Sequence, residues 1–214
     1  MKNIVKDTLI LFAITLAAGL GLGFVYNITS EARAKQEEKT MAEAYEAVMP
    51  GVEKFADVDI SSDKINKKIS DEIKDNEKNN GISPIKQFSA VVDNVVKAAD
   101  KDGNELGYIV TVTDNEAYDG SLQMTVGVKE DGTVTGISFL SLSETPGLGM
   151  KAGDDSFKNQ FKDKKVDYFK YNKSGAKADN EINAISSATI TTNAVTHGVN
   201  AAISCVKNIT GGGQ

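Results

Sequence analysis

Apolar positions along this chain follow three different patterns. From Thr8 to Ser30 no residue is charged, and TLILFAITLAAGLGLGFVY is a nearly unbroken apolar run. About 20 residues at ~1.5 Å each cross the roughly 30 Å hydrocarbon layer of a bilayer, where a helix satisfies its own backbone. The run therefore predicts one transmembrane helix, in which Gly19, Gly21 and Gly23 are tolerable; small residues allow close approach of a neighbouring helix, although GLGLG does not have the GxxxG spacing. Lys2 and Lys6 precede it, so the positive-inside rule expects a cytoplasmic N-terminus, with the segment after the helix outside. A cleaved signal peptide is the competing reading, because Ala32-Arg33-Ala34 has the outline of a cleavage site. Against it stand the charge at that site and a run longer than the roughly 7–15 apolar residues of a signal core.

The second pattern is helical. Residues 31–49, EARAKQEEKTMAEAYEAVM, are rich in strong helix formers and stop at Pro50-Gly51. Ala42, Tyr45, Val48 and Met49 share one face, which is expected to pack on the domain that follows. Residues 57–86 are polar, with Ile60, Ile65, Ile69 and Ile73 widely spaced, and predict a solvated insertion containing one amphipathic helix.

From Phe88 the pattern shortens to that of strands. GYIVTVT, LQMTVGV and VTGISFLSL alternate or run apolar, as half-buried antiparallel strands do. Asp102-Gly103 and Asp131-Gly132 read as hairpin turns between them. FKNQFKDKKVDYFKY reads as an amphipathic helix turning into a strand. Val195, Val199, Ile203 and Val206 then place an apolar stripe on a terminal helix. The expected organisation is a tail and anchor over 1–30, a helical connector and polar insertion over 31–87, a folded domain over 88–210 and a flexible tail over 211–214. The expected class is α+β: an antiparallel sheet with covering helices, preceded by one transmembrane helix.

Charge and composition narrow the chemistry. With 24 basic against 30 acidic residues the formal charge is −6, and there is no Trp, which speaks against nucleic acid as a partner. The single cysteine, Cys205, sits on an apolar helical face and reads as a small buried hydrophobe. The single histidine, His197, argues against a histidine zinc site or a Ser-His-Asp triad. Any redox chemistry must come from a bound cofactor.

Two stretches carry candidate chemistry. LSETPGLGMKAG, residues 142–153, follows a predicted strand and is too apolar and Gly-rich for an ordinary solvated loop. Pro146 fixes φ, while Gly147 and Gly149 permit backbone conformations closed to other residues. The stretch is either a plain turn or a loop that lays backbone N–H groups and Leu148 against a flat ligand, with Glu144 and Thr145 offering polar contacts. It contains neither GxGxxG nor GKS/T. The second stretch, INAISSATITTNAV, puts Ser186, Ser187, Thr189, Thr191 and Thr192 where the chain enters the terminal helix. One hydroxyl suffices for a cap, with Thr191 or Thr192 the candidate, so five is an excess. A helix N-terminus rich in hydroxyls suits an anion such as a phosphate.

SETPGLG followed later by SSATITT resembles the FMN-binding domain of the NqrC/RnfG family. In that family a motif close to D-x-x-(S/T)-G-A-T ends in a threonine esterified to the phosphate of FMN by a flavin transferase that uses FAD. The resemblance aligns Ser186 with the S/T position, Ala188 with the alanine and Thr189 with the flavin-bearing threonine. Asn183 stands where the family usually has Asp, and Ser187 where it commonly has Gly. The resemblance implies that residues 88–210 are an FMN-binding domain, with FMN bound covalently to Thr189. Glu144, Thr145, Leu148 and Gly149 would line its ring, and Ser186, Ser187 and Ala188 would form the attachment loop. The implied role is a single-pass flavoprotein of the cell membrane, most like the G subunit of an Rnf-type ferredoxin:NAD⁺ oxidoreductase. Such a protein passes electrons among redox partners, coupled to Na⁺ or H⁺ movement, with its FMN domain extracytoplasmic. Three other readings stay open: an NqrC-like component of a Na⁺-pumping quinone reductase, an anchored module holding a phosphorylated ligand reversibly, and a structural component without cofactor.

Overall fold

The computed structural model describes residues 2–60 and 62–211, so 212–214 of the expected tail lie outside the described residues. The chain divides into two compact units, one extending to Ala42 and the other beginning at Glu43. Helix α1 runs Lys2–Val48 and accounts for all described residues of the first unit. There, large apolar side chains point outward on every side, with Leu9, Phe12, Leu20 and Phe24 all more than 60% exposed. A helix that is apolar all round fits lipid rather than water, and this one is long and apolar enough to cross a membrane. Its hydroxyls are hidden along the backbone: Thr8 donates to the Ile4 carbonyl at 2.9 Å and Thr15 to that of Leu11 at 3.1 Å. Past the apolar run the Arg33 guanidinium lies 5.4 Å from the centre of the Tyr26 ring.

In the second unit, six antiparallel strands form one sheet in sequential order: β1 (Lys54–Asp57), β2 (Ala90–Ala99), β3 (Glu105–Ala117), β4 (Gly120–Val128), β5 (Thr133–Ser141) and β6 (Lys164–Lys165). Both expected hairpin turns are present, with Gly103 at φ 89° and Gly132 at φ 86°, values that L side chains seldom adopt. Strand alternation sorts the core into two layers. Val92, Val95, Val110, Val112, Met124 and Val126 face helix α4 (Thr189–Ile209). On the other side Val96, Ala98 and Ile109 pack with Tyr45, Val48, Met49 and Val52. Of the face expected on residues 31–49, Tyr45, Val48 and Met49 are buried, but Ala42 is exposed and Ala44 is buried instead. The buried stripe begins only at Ala44.

Residues 57–86 are mostly exposed and hold the one amphipathic helix expected there, but that helix is docked on the domain. They contain helix α2 (Ser62–Asn79), which packs on α4 through Ile69 and Ile73. Isoleucines four residues apart return to one helical face, so three of the four widely spaced ones, with Glu77 one turn further, form a seam. Polar contacts reinforce it. Glu77 Oε1 lies 2.7 Å from His197 Nε2, and Glu72 accepts from the Ser204 hydroxyl and from Asn208 Nδ2. Caught between the sheet and α2, α4 is buried at every residue from Thr191 to Val206.

A 3-10 segment (Gly149–Gly153) and a single α-helical turn α3 (Asp155–Lys158) follow β5; residues 157–171, expected as an amphipathic helix turning into a strand, keep only the end of α3 and are otherwise turns before reaching strand structure at β6. Phe157, Phe161 and Phe169 stack edge to face at 5.7 and 5.1 Å and fix its path. Strands β7 (Lys170–Asn172) and β8 (Glu181–Asn183) then pair in parallel and lead into α4.

Two substitutions probe these supports. A Cβ on Gly127 would sit 2.5 Å from the Val48 carbonyl oxygen, a backbone atom that cannot turn aside. Gly127→Ala is expected to cost at least about 2 kcal/mol and to lower the melting temperature by roughly 4–8 °C, whereas Gly136→Ala, in ordinary contact, is tolerated. The Glu181 carboxylate accepts from the Lys177 N–H at 2.8 Å, Asn172 Nδ2 at 3.1 Å and Lys170 Nζ at 3.2 Å, which together lower its pKa from 4.5 to about 2. A carboxylate with a depressed native pKa stabilises fully above its ordinary value and loses that contribution as pH falls through the native one. Hydrogen-exchange protection over residues 172–183 should therefore fall between pH 4.5 and about 2, and Glu181→Gln should remove that step.

Candidate functional site

The Gly-rich stretch after β5 folds back on itself. Leu148 N–H donates to the Thr145 carbonyl at 3.1 Å across Pro146-Gly147, with Gly147 at φ 76°. Proline second and a positive-φ glycine third are what a type II turn requires. Met150 N–H reaches the same carbonyl at 3.3 Å, so Leu148 and Gly149 are presented from a doubly fastened bend.

Glu144, 7% exposed, holds this bend to the rest. Its Oε1 accepts the Tyr118 N–H at 2.9 Å, at the turn between β3 and β4. Its Oε2 accepts the Thr191 hydroxyl at 3.0 Å, in the first turn of α4. Both carboxylate oxygens are thus occupied by the protein, where the sequence suggested a contact to ligand. A buried carboxylate needs such partners, and the N-terminus of α4 adds favourable potential. Gly149 makes the contact possible, since a Cβ there would fall 2.7 Å from Thr191 Oγ1 and closer still to the Glu144 carboxylate.

The entrance to α4 is built without the expected cap. Ala188 occupies the cap position and no side chain bonds to the first-turn amides. Thr191 is committed to Glu144. Thr192 accepts the Ile185 N–H at 3.0 Å and donates to the Ala188 carbonyl at 2.9 Å. Neither caps the helix, because each faces a buried partner that competes for its hydroxyl. Among the described residues, Ser186, Ser187 and Thr189 make no side-chain hydrogen bond, and the backbone N–H groups of Thr189, Ile190 and Thr191 donate to no protein acceptor. Ser187 holds φ at 63°, the left-handed region usual for glycine.

These segments surround a cavity of ≈ 370 Å³ lined by Tyr118, Glu144, Thr145, Leu148, Gly149, Ser187, Ala188, Thr189, Ile190 and Thr191. Volumes of roughly 300–1,000 Å³ hold cofactor-sized ligands. Seven of the eight residues singled out from the sequence come together here; Ser186 lies beside the cavity, exposed, and does not line it. Tyr118, Ile190 and Thr191 also line it; the sequence by itself leaves open whether Tyr118 and Asp119 touch a ligand ring or merely make the turn before Gly120. A wider groove of ≈ 480 Å³ at the other end of α4 is lined by Glu130, Asp131, Lys165, Asp167 and Lys207 and includes none of these residues. Its charges already pair as Asp131–Lys165 and Asp167–Lys207.

Other notable side chains are structural. Cys205 is buried and its thiol is pushed up to about 12. His197 is enclosed by Glu77, Asn193 and Phe88. Burial holds the Asp114 carboxyl above the ordinary range, against the Glu116 N–H, His197 and the Ser89 hydroxyl, which lower it. Asp114 Oδ1 accepts from Ser89 and from the Glu116 N–H, and this fastens the irregularity where the β3–β4 register shifts between Asp114 and Ala117.

Residues 117–204 match the family model of the FMN-binding domain. The chain is 43% identical to the G subunit of the proton-translocating ferredoxin:NAD(+) oxidoreductase complex of Clostridium ljungdahlii, over 54% of this chain and 61% of that one. It is 31% identical to the G subunit of the Na(+)-translocating ferredoxin:NAD(+) oxidoreductase complex of Acetobacterium woodii, over 97% of this chain and 94% of that one. Its fold resembles the crystal structure of the C subunit of the Na(+)-translocating NADH-quinone reductase from Parabacteroides distasonis, with TM-score 0.53 and 22% identity over 84% of this chain and 96% of that one. The residues present fit the flavin nucleotide that the domain's description implies: Leu148, Gly149 and Ile190 in the lining offer apolar surface to a flat ring, and unengaged amides and hydroxyls at the start of α4 suit a phosphate. Motif, cavity and a match along nearly the whole length agree, and the chain belongs to the NqrC/RnfG family of FMN-binding-domain proteins.

Proposed function

We propose that this chain is a membrane-anchored electron-transfer flavoprotein of an Rnf-type complex, with FMN joined through its phosphate to Thr189. One observation carries the reading: the Thr189 hydroxyl, without a partner among the described residues, opens α4 on the wall of a cavity whose other side is the SETPGLG bend. Anchoring is supported by the apolar length of α1, and membership of a multi-protein complex by relatives that are named as components of such complexes. The flavin supplies reversible electron uptake and release. The protein's part is to hold the phosphate, orient the ring and shield one side of it from water.

Attachment takes FAD as co-substrate and a separate flavin transferase. The Thr189 oxygen bonds to the phosphorus nearer riboflavin, the pyrophosphate bond breaks, AMP departs with the bridging oxygen, and the hydroxyl proton is released. Threonine is a weak nucleophile, so an enzyme must make this ester. The product keeps a negative charge, which the three unengaged amides of the first turn accommodate. In this reading Ser186, Ser187 and Ala188 shape the attachment loop, and Thr145, Leu148 and Gly149 lie along the ring. Glu144 acts by holding both. In this reading the FMN domain lies outside the cytoplasm, and electron transfer by the complex is coupled to Na⁺ or H⁺ movement.

Asn183, where the family motif usually has Asp, serves a local purpose: its Oδ1 accepts the Ala176 N–H at 2.7 Å and its own N–H donates to Gln160 Oε1 at 2.6 Å. Ser187 is strained in a backbone conformation that glycine adopts freely.

Two measurements test this. The full chain, co-expressed with a flavin transferase, should show flavin fluorescence that stays with the band in a denaturing gel, and Thr189→Ala should lose it completely. Fluorescence that leaves on denaturation would instead indicate a reversible ligand. Ser187→Gly should relieve the left-handed strain and raise stability by about 0.5–1 kcal/mol, roughly 2 °C in melting temperature. Ser187→Ala, which keeps the strain, should give no such gain.

A further inference from the structure

We infer that Tyr118 is the aromatic wall of the site, its ring stacking on the exposed face of the flavin; the inference rests on the reading of Thr189 as the attachment point. Tyr118 is 65% exposed, the one exposed tyrosine of the second unit. Its ring stacks on no other ring among the described residues, yet the residue lines the same cavity as Leu148, Gly149 and Thr189.

Its position is set from two directions. Upstream, Asp114 Oδ1 binds the Glu116 N–H and fixes the shift in register that precedes the turn. Downstream, Gly120 at φ 106° closes a two-residue turn of Tyr118 and Asp119. Between them the Tyr118 N–H is held by Glu144 Oε1, while Oε2 of the same carboxylate holds Thr191, two residues beyond Thr189. One side chain thus sets the spacing between the aromatic turn and the helix entrance. The lining also includes the apolar Leu148, Gly149 and Ile190. A flat conjugated ring tethered at Thr189 gains from stacking on an aromatic side chain, and among the described residues Tyr118 is the one aromatic side chain lining the cavity.

A tyrosine in van der Waals contact with a flavin quenches its emission by donating an electron to the excited ring and receiving it back. The native full chain, loaded with flavin as above, is compared with Tyr118→Leu and Tyr118→Trp. Each sample is normalised to the flavin emission of its denatured form and checked by peptide mass at Thr189. The expected result is a several-fold rise in native emission for Tyr118→Leu, and emission as low as the parent's or lower for Tyr118→Trp, since indole quenches at least as well. A change confined to folding would move both variants alike. Equal brightness of Tyr118→Leu and parent, or equal brightening of both variants, overturns the stacking. A parent chain whose Thr189 peptide bears no flavin overturns the reading of the site and this inference together.

Discussion

A buried carboxylate that must be fully partnered governs the candidate site. Glu144 is almost without solvent, and an isolated charge in that position would cost several kcal/mol. The protein meets the requirement by bringing three separate stretches to it: the β3–β4 turn, the Gly-rich bend and the first turn of α4. Nothing larger than glycine fits at position 149 beside that contact. The cavity is what remains open between three segments drawn to one side chain, so its shape follows from electrostatics as much as from apolar packing.

The same economy appears along α4. One face is apolar and meets the sheet. The opposite face carries Asn193, His197, Asn200 and Ser204, each hydrogen-bonded to α2, to the Phe169 backbone or to a neighbour on the same face. A helix with polar residues at this spacing looks solvent-facing, yet here every one of them is buried. Hydrogen bonds satisfied within the protein let a polar stripe serve as an internal seam.

That seam explains what the sequence could and could not disclose. Strand alternation, the two Asp-Gly turns and the long apolar run were legible, because each is a local preference. The docking of α2 was not: Ile69, Ile73 and Glu77 declare an amphipathic face but not the surface that receives it. The site divides in the same way. Gly149, Thr189 and their neighbours could be picked out by composition and motif, since glycines and unneeded hydroxyls have few other uses. The bond from Glu144 to Tyr118 links residues 26 apart, and that to Thr191 links residues 47 apart, separations at which no pattern in the chain signals contact. The cap expected from Thr191 or Thr192 is absent for related reasons: Thr191 is taken by the distant Glu144, and Thr192 by the Ile185 N–H and the Ala188 carbonyl.

A helix enclosed on both sides leaves evolution little room along its length. From Thr191 to Val206 any side chain that grows or gains charge must displace either a strand or α2. Variation with few structural consequences is confined to the helix ends, and chemical novelty can be acquired there with little disturbance to the fold. The first turn of such a helix is therefore where the architecture can change its chemistry while its interior stays frozen.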